Sequence, residues 1–399
     1  MRSLLNWLSQ ISMVTRFSLK GIPERKGAAA AAAFGIAGVV AVLVAVLSIG
    51  AGFRHAITAA GSPSRAIILR SGSTSEMMSS LSQEDSTVIA DGPGIVHDGG
   101  APEVSSELYL VINLPKRSTG TDANVPLRGV GEMAYKIRDE VKIVEGRRFT
   151  PGRNEVIVGQ SAAREFSGLN VGGKIKVGGS YWDVVGVFTA NGGVCESEMW
   201  GDAGVLQSAF NRGSSFQMMC VKLTSPSAFA SFTNSVMSDP RIKISARQET
   251  EYYAAQSKTL SQIIEVLGTL IAVLMAIGAI FGALNTMYSA VAARTREIAT
   301  LRALGFGSGP VVISVMLESL ALALVGGVVG GAFAYFVFDG YRTATMNWQS
   351  FSQVAFAFSV TPALLVEGAI FAAVIGFFGG LFPAIRAARL PIAAGLREM

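Results

Sequence analysis

The sequence predicts an α-helical membrane protein with four transmembrane helices and a large α+β extracytoplasmic domain inserted between helices 1 and 2. Half of the 399 residues are hydrophobic and only 15% are charged, whereas soluble globular proteins carry about 25% charged residues. The apolar residues are concentrated in four long runs, and one polar stretch separates the first run from the other three. About 20 apolar residues cross the hydrocarbon core of a bilayer, so each run is long enough to span it.

The N-terminal part of the chain predicts a membrane-surface helix followed by a retained transmembrane helix. Residues 1–27 carry five basic residues and place apolar side chains at helical spacing, which predicts a cytoplasmic amphipathic helix at the interface. Residues 28–52 form the predicted first transmembrane helix. A cleaved signal peptide is the alternative, but its apolar core would span about 7–15 residues. The uncharged run Ala28–Ile49 is longer, which favours a retained helix.

Residues 53–258 predict a mixed α+β periplasmic domain that ends in a stalk helix. Short runs of alternating apolar residues predict strands at 65–70, 155–158, 174–177, 181–188, 219–223 and 241–245. Helical patterns lie between them at 160–169, 205–212 and 227–238. A further helical pattern over Gln248–Lys258 continues into the next apolar run without a breaking residue, and this pattern predicts the stalk.

The remainder of the chain completes the predicted bundle. We expect the second transmembrane helix at 259–293, a cytoplasmic helix and loop at 294–310, the third transmembrane helix at 311–338, a short periplasmic loop at 339–361, the fourth transmembrane helix at 362–385 and a cytoplasmic tail at 386–399.

The distribution of basic residues predicts the orientation in the membrane. The N-terminal segment carries five Lys and Arg residues, and the 294–310 segment and the tail carry three each, whereas the 339–361 loop carries one. Because Lys and Arg accumulate on the cytoplasmic side, we expect both termini in the cytoplasm of a bacterial cell. The chain would then be a multi-pass protein of the inner membrane.

The charged segment 294–310 separates two membrane-length apolar runs, which makes it the candidate contact site for a soluble partner. From Arg294 onwards, helical spacing places Ile298, Leu301 and Leu304 on one broad apolar face, with the charged side chains expected to be exposed elsewhere. An apolar anchor with orienting charges is what a docking element requires. The alternative is an ordinary basic loop that only fixes the topology.

Small residues four positions apart mark candidate helix-packing sites. These pairs are Gly278/Gly282, Gly326/Gly330 and Gly376/Gly380. In lipid, small residues let helix backbones approach closely, which is a main source of helix association. The pattern fits packing within one chain and a dimer seam equally well.

Glu318 is a charged residue about two turns into the predicted third transmembrane helix. A charge within a membrane helix is costly to insert unless it is paired or reaches the interface. Glu318 could pair with an Arg of the 294–310 segment, help to gate a movement, extend to the interface or remain protonated.

The sequence contains no recognisable catalytic set and no zinc-site or nucleic-acid signature. Its cysteines, Cys195 and Cys220, and its histidines, His55 and His97, do not follow a zinc-binding spacing. The basic residues cluster beside apolar runs, which indicates membrane insertion and argues against nucleic acid. We therefore expect a non-enzymatic subunit that binds no cofactor or metal. The two cysteines could form a disulfide in an oxidising compartment or remain separate apolar thiols.

Several motifs resemble those of a known family. They are R-T-R-E-I-A-T-L-R-A-L-G-F at 294–306, F-P-A-I-R-A-A-R-L-P-I-A-A-G-L-R at 382–397, V-E-G-R-R-F at 144–149, and V-G-G-K-I-K-V with W-D-V-V-G-V-F within 171–188. With the order of one helix, a large domain and three helices, the chain resembles the MacB/FtsX-type permeases of ABC transporters, the type VII exporters. The resemblance is strong in the segment 294–310, which we call the hinge, and in the tail. It is weaker over 53–140.

The resemblance implies a dimeric inner-membrane permease driven by a separate ABC ATPase. It identifies the hinge as the coupling helix, with docking residues Thr295, Arg296, Glu297, Ile298, Leu301, Arg302, Leu304 and Gly305. The run Gly168–Ile175 is similar to a phosphate-binding loop, but it lacks the Ser or Thr that should follow the Lys. We therefore expect ATP and Mg²⁺ to bind on a partner chain. A homodimer or heterodimer with a second permease, a periplasmic adaptor and membrane lipids are further implied partners.

The expected function is to couple ATP hydrolysis on that partner to a conformational change of the periplasmic domain, and so to export or extract a substrate. One alternative is an FtsX-like mechanotransmitting complex that regulates a periplasmic partner without transport. Another is a membrane-anchored binding or adhesion protein, which leaves the charged hinge unexplained.

Overall fold

The computed structural model describes residues 7, 10–15, 26–58, 61–347 and 352–391. Within the predicted N-terminal amphipathic helix, residue 7 and residues 10–15 are helical. The rest of 1–25, and the tail beyond residue 391, lie outside the described residues.

The predicted helices and strands occur in the expected order, with two additional helices, at Gln83–Ala90 and Met133–Ile137, and several additional strands. The helices are α1 (Lys26–Thr58), α2 (Gln83–Ala90), α3 (Met133–Ile137), α4 (Gln160–Glu165), α5 (Ala203–Ala209), α6 (Ala228–Met237), α7 (Glu249–Ala293), α8 (Thr295–Ala303), α9 (Ser308–Phe338) and α10 (Pro362–Ala388). The strands are β1 (Arg65–Arg70), β2 (His97–Asp98), β3 (Ala101–Pro102), β4 (Val104–Pro115), β5 (Asp122–Val130), β6 (Lys142–Gly146), β7 (Glu155–Gly159), β8 (Lys174–Val177), β9 (Ser180–Thr189), β10 (Met199–Asp202), β11 (Met218–Lys222), β12 (Ile244–Gln248), β13 (Arg342–Asn347) and β14 (Ser352–Ala357). Short 3-10 turns occur at Glu76–Met78 and Val194–Ser197.

Within the described residues, four helices are long and apolar enough to cross a membrane. Their candidate spans are Ala29–Ala56, Gln262–Ala293, Ser308–Phe338 and Pro362–Ala388, with mean hydropathies of 2.7, 2.5, 2.2 and 2.1. The chain divides into a helical unit (Met1–Ala51, Gln262–Tyr341 and Phe358–Met399) and an α/β unit (Gly52–Ser261 and Arg342–Ala357). In the chain order, a large α/β domain therefore lies between the first and second membrane-length helices, as predicted.

Glycines of α9 bring this helix into backbone contact with α1 in the helical unit. A methyl group built on Gly326 would lie 2.6 Å from the carbonyl oxygen of Ala33, and one on Gly330 would lie 2.3 Å from that of Ala37. No side chain fits at such distances, so only glycine allows this approach.

The glycines of α10 pack in the same way against α9. A methyl group on Gly376 would lie 2.5 Å from the Cβ of Ala323, and one on Gly380 would lie 2.7 Å from the Cβ of Ser319. The hydroxyl of Ser319 donates a hydrogen bond of 2.7 Å to the carbonyl of Gly376. The predicted small-residue pairs of α9 and α10 thus serve packing within one chain.

Gly278 and Gly282 of α7 differ from these pairs. A methyl group on either would meet no atom of the described residues within 4 Å outside its own helix turn. The face of α7 that carries them is exposed within one chain. This pair therefore contributes nothing to packing inside the described part of the monomer.

The α/β unit is built on a ten-stranded sheet in the order β12-β1-β11-β4-β5-β10-β7-β9-β6, with β8 paired to β9. Neighbouring strands are antiparallel except for β5–β10 and β7–β9, which are parallel. The long strand β4 joins the two halves, because Val104–Glu107 pair with β11 and Leu108–Pro115 pair with β5. One core surrounds Phe232, and another surrounds Trp182.

The predicted strands at 65–70 and 174–177 are confirmed as β1 and β8. The strand predicted at 241–245 instead begins at Ile244, because the amide and guanidinium of Arg241 bind the carboxylate of Asp239 in a turn. The helix predicted at 160–169 ends at Glu165, before Gly168 adopts a φ of 80°.

The segment expected as a short loop at 339–361 contains the hairpin β13–β14, which belongs to the α/β unit. The backbone amide of Ala355 donates a hydrogen bond of 3.0 Å to the hydroxyl oxygen of Ser197. The ring of Phe356 packs edge-on against Phe53 with centroids 5.5 Å apart. The hairpin therefore packs as part of this domain.

Candidate functional site

The predicted hinge is a short helix, α8, bounded by two breaks. At its start, Arg294 has φ −110° and ψ 12°, so the helical hydrogen-bond pattern of α7 is interrupted there. At its end, the amide of Gly305 donates to the carbonyl of Arg302 and the amide of Phe306 to that of Leu301, both at 3.1 Å. This is a Schellman motif. Gly305 has φ 97°, which residues with a Cβ rarely adopt, so glycine is required for this turn.

The apolar face of α8 packs mostly against its own unit, which corrects the expectation that this face is presented to a partner. Ile298 is only 7% exposed and lies in a cluster with Val291 and Val311. Leu301 is half-buried, whereas Leu304 is 73% exposed. Of the three predicted apolar residues, Leu304 is the one that a partner can reach most easily.

Arg294 and Arg302 were predicted to be exposed, but both are half-buried. Arg294 binds the neighbouring helix α9, and Arg302 binds the backbone just after α10. Arg294 Nη1 donates 3.1 Å to Glu318 Oε2 in α9, and its Nε lies 3.9 Å from Glu297 Oε2. Arg302 Nη1 donates 2.5 Å to the carbonyl of Leu390, just after α10. The ion pair offsets the cost of a lone carboxylate in an apolar helix, roughly 2.5–3.5 kcal/mol at a helix centre.

The remaining exposed side chains define what we call the outer face of α8: Arg296, Glu297, Thr300 and Leu304. Among the other predicted docking residues, Gly305 is exposed and Thr295 is half-buried. The outer face offers one cation, one anion, a hydroxyl and a leucine. This combination can orient a protein partner and fill a small apolar pocket.

A second group of charged side chains, inside the α/β unit, was missed by the sequence analysis. Three arginines and five glutamates form this buried charge cluster: Arg65, Arg128, Arg138, Glu76, Glu107, Glu140, Glu198 and Glu249. They come from positions far apart in the chain, such as Arg65 and Glu249, which are 184 residues apart. No local pattern in the sequence could have revealed them together.

Arg128 on β5 is the centre of the cluster. Its Nε and Nη2 donate 2.8 Å to the two oxygens of Glu198, and its Nη1 donates 2.9 Å to Glu107. Glu107 also binds Arg138, and Glu198 accepts 2.8 Å from the indole of Trp200. Bidentate charge-assisted bonds of this kind are among the strongest that side chains form.

Arg65 attaches the first turn of α7 to this arrangement. Its guanidinium forms an ion pair with Glu249 and two bonds of 2.8 Å with Glu140. Glu249 also accepts 2.9 Å from the amide of Ser62. The cluster therefore joins strands of the sheet to the start of the predicted stalk.

The pKa values of the glutamates in the cluster are shifted in opposite directions. Burial raises the pKa of Glu76 to about 7, although Arg128 opposes this effect. Burial also disfavours ionisation of Glu107, but Arg138 and Arg128 overcome it and hold the pKa of Glu107 below its ordinary value. Burial raises the pKa of Glu249 as well. Glu76 is thus a carboxyl of this cluster that changes its protonation state around neutral pH.

Both cysteines are free and buried, which corrects the disulfide expected between them as one alternative. Cys195 packs in a core with Phe188 and Trp200, whereas Cys220 lies on β11 opposite β1. Burial raises the pKa of both thiols, that of Cys220 to about 12. Neither thiol is therefore ionised at neutral pH, and buried thiols of this kind are inert.

Comparisons with known proteins match both units. Residues 29–238 match the MacB-like periplasmic core domain, and residues 269–392 match the C-terminal domain of FtsX-like permeases. The ABC transporter permease YknZ of Bacillus subtilis is 26% identical over 295 residues, which cover 69% of this chain and 70% of YknZ. The macrolide export ATP-binding/permease protein MacB of Chromobacterium violaceum is 25% identical over 323 residues, which cover 77% of this chain and 48% of MacB.

The chain spans about half the length of the MacB relatives that it matches. Among solved structures, the periplasmic region of MacB from Actinobacillus actinomycetemcomitans is similar with a TM-score of 0.36 and 18% identity, covering 52% of this chain and 95% of that one. The MacB-like periplasmic core domain alone matches more than half of the 399 residues, and the FtsX-like match includes α8, α9 and α10. The chain therefore belongs to the family of MacB-like and FtsX-like ABC transporter permeases.

Proposed function

We propose that the chain is the permease subunit of an ATP-driven transporter of the type VII class, and that an ABC ATPase docks on the outer face of α8. The observation that supports this most strongly is the hinge itself. It keeps Arg296, Glu297 and Leu304 exposed while its inner side is attached to neighbouring helices. A partner that moves this face would therefore move helices rather than a loose loop.

In this proposal the hinge and both termini lie in the cytoplasm, where ATP is available, and the α/β unit is periplasmic. The distribution of Lys and Arg along the chain supports this orientation. ATP and Mg²⁺ are bound by the ATPase, and this chain contributes the membrane path and the docking helix.

We also propose that two permease chains associate through the exposed face of α7, as a homodimer or with a related second permease. Gly278 and Gly282 lie on this face and have no packing role within the described monomer. Large apolar side chains such as Leu274 and Phe281 are exposed on the same helix. Small residues beside large ones permit the close contact that helix pairs need in lipid.

The output of the complex is export or extraction of a substrate, with or without a periplasmic adaptor. The relatives named as macrolide exporters favour this version. The match to FtsX-like permeases keeps one alternative in view, in which the complex regulates a periplasmic partner and transports nothing. Measuring transport by the complex in proteoliposomes separates the two, because ATP-dependent substrate movement would eliminate the regulatory version.

The docking proposal is tested by purifying the full chain with its ATPase from mild detergent and by measuring their affinity. We expect the double variant Arg296→Glu and Glu297→Arg to weaken ATPase binding by about tenfold or more. A matched control is Arg212→Glu in the α/β unit, where another exposed arginine changes charge. Docking at α8 is wrong if no ATPase binds the wild-type chain, or if both variants bind it equally well.

A further inference from the structure

We infer that the ion pair between Arg294 and Glu318 fastens the coupling helix α8 to α9, so that a displacement of α8 is passed on to α9. The inference rests on the proposed function, because it assigns how the docked ATPase moves the bundle. Arg294 and Glu318 are positioning residues in this account and do not contact the ATPase.

The geometry of the pair supports a fastening role. Arg294 occupies the break between α7 and α8, and Glu318 lies within α9, 24 residues further along the chain. Their side chains are 12% and 5% exposed and are joined by a contact of 3.1 Å. A charge-assisted bond between buried groups has a defined length and direction, which apolar packing alone does not provide.

The space beside the pair is small. Arg294 and Glu318 line a cavity of about 20 Å³ together with Met287, Val291 and Ser314. A cavity of this size holds about one water molecule. With side chains only 12% and 5% exposed, the pair offers a protein partner little surface, so we assign it to contacts between helices of this chain.

The two breaks around α8 explain why a fastening is needed. Arg294 is non-helical at one end, and Gly305 has φ 97° at the other. Backbone hydrogen bonds of a continuous helix are interrupted at both points, so α8 could pivot without moving α9 if only the chain connected them. The Arg294–Glu318 pair, together with the packing of Ile298 in the cluster that contains Val311, restricts that freedom.

A second attachment acts at the opposite end of α8. Arg302 Nη1 donates a hydrogen bond of 2.5 Å to the carbonyl oxygen of Leu390, just after the end of α10. The coupling helix is thus bound to α9 near its first residue and to the backbone just after α10 near its last residue. A movement of its outer face reaches both helices.

The test compares the wild-type full chain with Arg294→Met, Glu318→Met and the exchanged pair R294E/E318R. Spin labels are placed at exposed Thr300 in α8 and exposed Val328 in α9, and labelled chains are diluted with unlabelled ones. Because Thr300 lies on the proposed docking face, the distances are measured on the permease alone. We expect a narrow distance distribution in the wild type and a broadened or shifted one in each single variant. The exchanged pair should restore the narrow distribution.

The same variants are then assayed with the ATPase. We expect unchanged ATPase affinity, a loss of coupled ATP hydrolysis of about tenfold in the single variants, and recovery in the exchanged pair. Arg212→Met, at an exposed site of the α/β unit, serves as the control.

The outcomes separate this inference from the docking proposal. If the single variants keep the wild-type distances, or if the exchange restores neither distances nor coupling, the fastening is wrong. If Arg294→Met weakens ATPase binding as strongly as charge reversal at Arg296, Arg294 is a docking residue and the inference is also wrong. Absence of any ATPase complex overturns the proposed function, whereas the distance measurement on the permease alone still decides whether the pair fastens α8.

Discussion

The hinge and the α/β unit both bury arginine against glutamate, but they do so on different scales. At the hinge, Arg294 binds Glu318 across two helices. In the buried charge cluster, three arginines meet five glutamates. A single ion pair between two helices can pass on a movement, whereas a cluster of eight charged groups inside one domain contributes mainly to the stability of that domain. We therefore expect changes at the hinge to affect coupling and changes in the cluster to affect folding and its pH dependence.

The largest expected effect is the loss of stability when the central arginine of the cluster is removed. Arg128→Met leaves Glu198 and Glu107 without their shared partner and should lower the unfolding free energy of the α/β unit by about 3–5 kcal/mol. Denaturant unfolding followed by tryptophan fluorescence measures this change, because Trp200 binds Glu198 directly.

The control is Arg241→Met, which removes an exposed ion pair with Asp239. This variant should change the unfolding free energy by no more than about 0.5 kcal/mol. Equal destabilisation by the two variants would show that the buried cluster contributes no more than a surface pair.

The next effect concerns the pH dependence of the unfolding free energy, which the cluster is expected to set. Burial raises the pKa of Glu76 from its ordinary value of 4.5 to about 7. Between these values the unfolded chain releases the proton while the folded chain retains it, so the unfolding free energy should fall as pH rises, by about 3 kcal/mol in total. Glu249 has a raised pKa and acts in the same direction.

Glu76→Gln should flatten most of this dependence and raise stability above pH 7, as measured by denaturant unfolding of the full chain from pH 4.5 to 8. Exposed Glu84→Gln is the matched control and should leave the slope unchanged. An identical pH profile for wild type and Glu76→Gln would contradict the assignment.

A smaller effect distinguishes two glycines of the helical unit. Gly330→Leu forces a side chain into the contact with Ala37 and should destabilise the monomer by about 1–3 kcal/mol. Gly282→Leu meets no described neighbour, so it should leave monomer unfolding unchanged and reduce the dimer fraction instead. Thermal unfolding and native mass spectrometry of both variants in detergent measure the two effects, and a dimer unaffected by Gly282→Leu would remove the proposed seam.

The smallest effect is that of reductant. Because Cys195 and Cys220 are buried free thiols, reducing agent should not shift the unfolding midpoint. A thiol reagent should add no mass to the folded chain and two labels to the unfolded chain. If the chain took up neither label after unfolding without reductant, the two cysteines would form a disulfide.

The sequence was informative where the physics is local. Long apolar runs and the charged interruption at Arg294 predicted the four helices and the hinge, because a charge between two such runs is conspicuous. The strand β8 was predictable because Ile175 and Val177 alternate with exposed lysines. The strands β4 and β5 were missed partly because Glu107 and Arg128 interrupt their apolar pattern.

The partners of buried charges were not predictable, since Arg128 and Glu198 are 70 residues apart and meet only in the folded sheet. The burial of Ile298 was missed for a related reason. An amphipathic pattern shows that one side of a helix is apolar, but it does not say whether that side meets a partner or the same chain.

The most direct test of the account is site-specific photo-crosslinking from the outer face of α8. A photoreactive phenylalanine at exposed Leu304 should form a covalent adduct with the ABC ATPase in the intact complex. The same residue at Tyr181, which is similarly exposed on the α/β unit, should form none. An ATPase adduct at position 304 alone supports docking on α8, and an adduct absent at 304 or equally strong at 181 would contradict it.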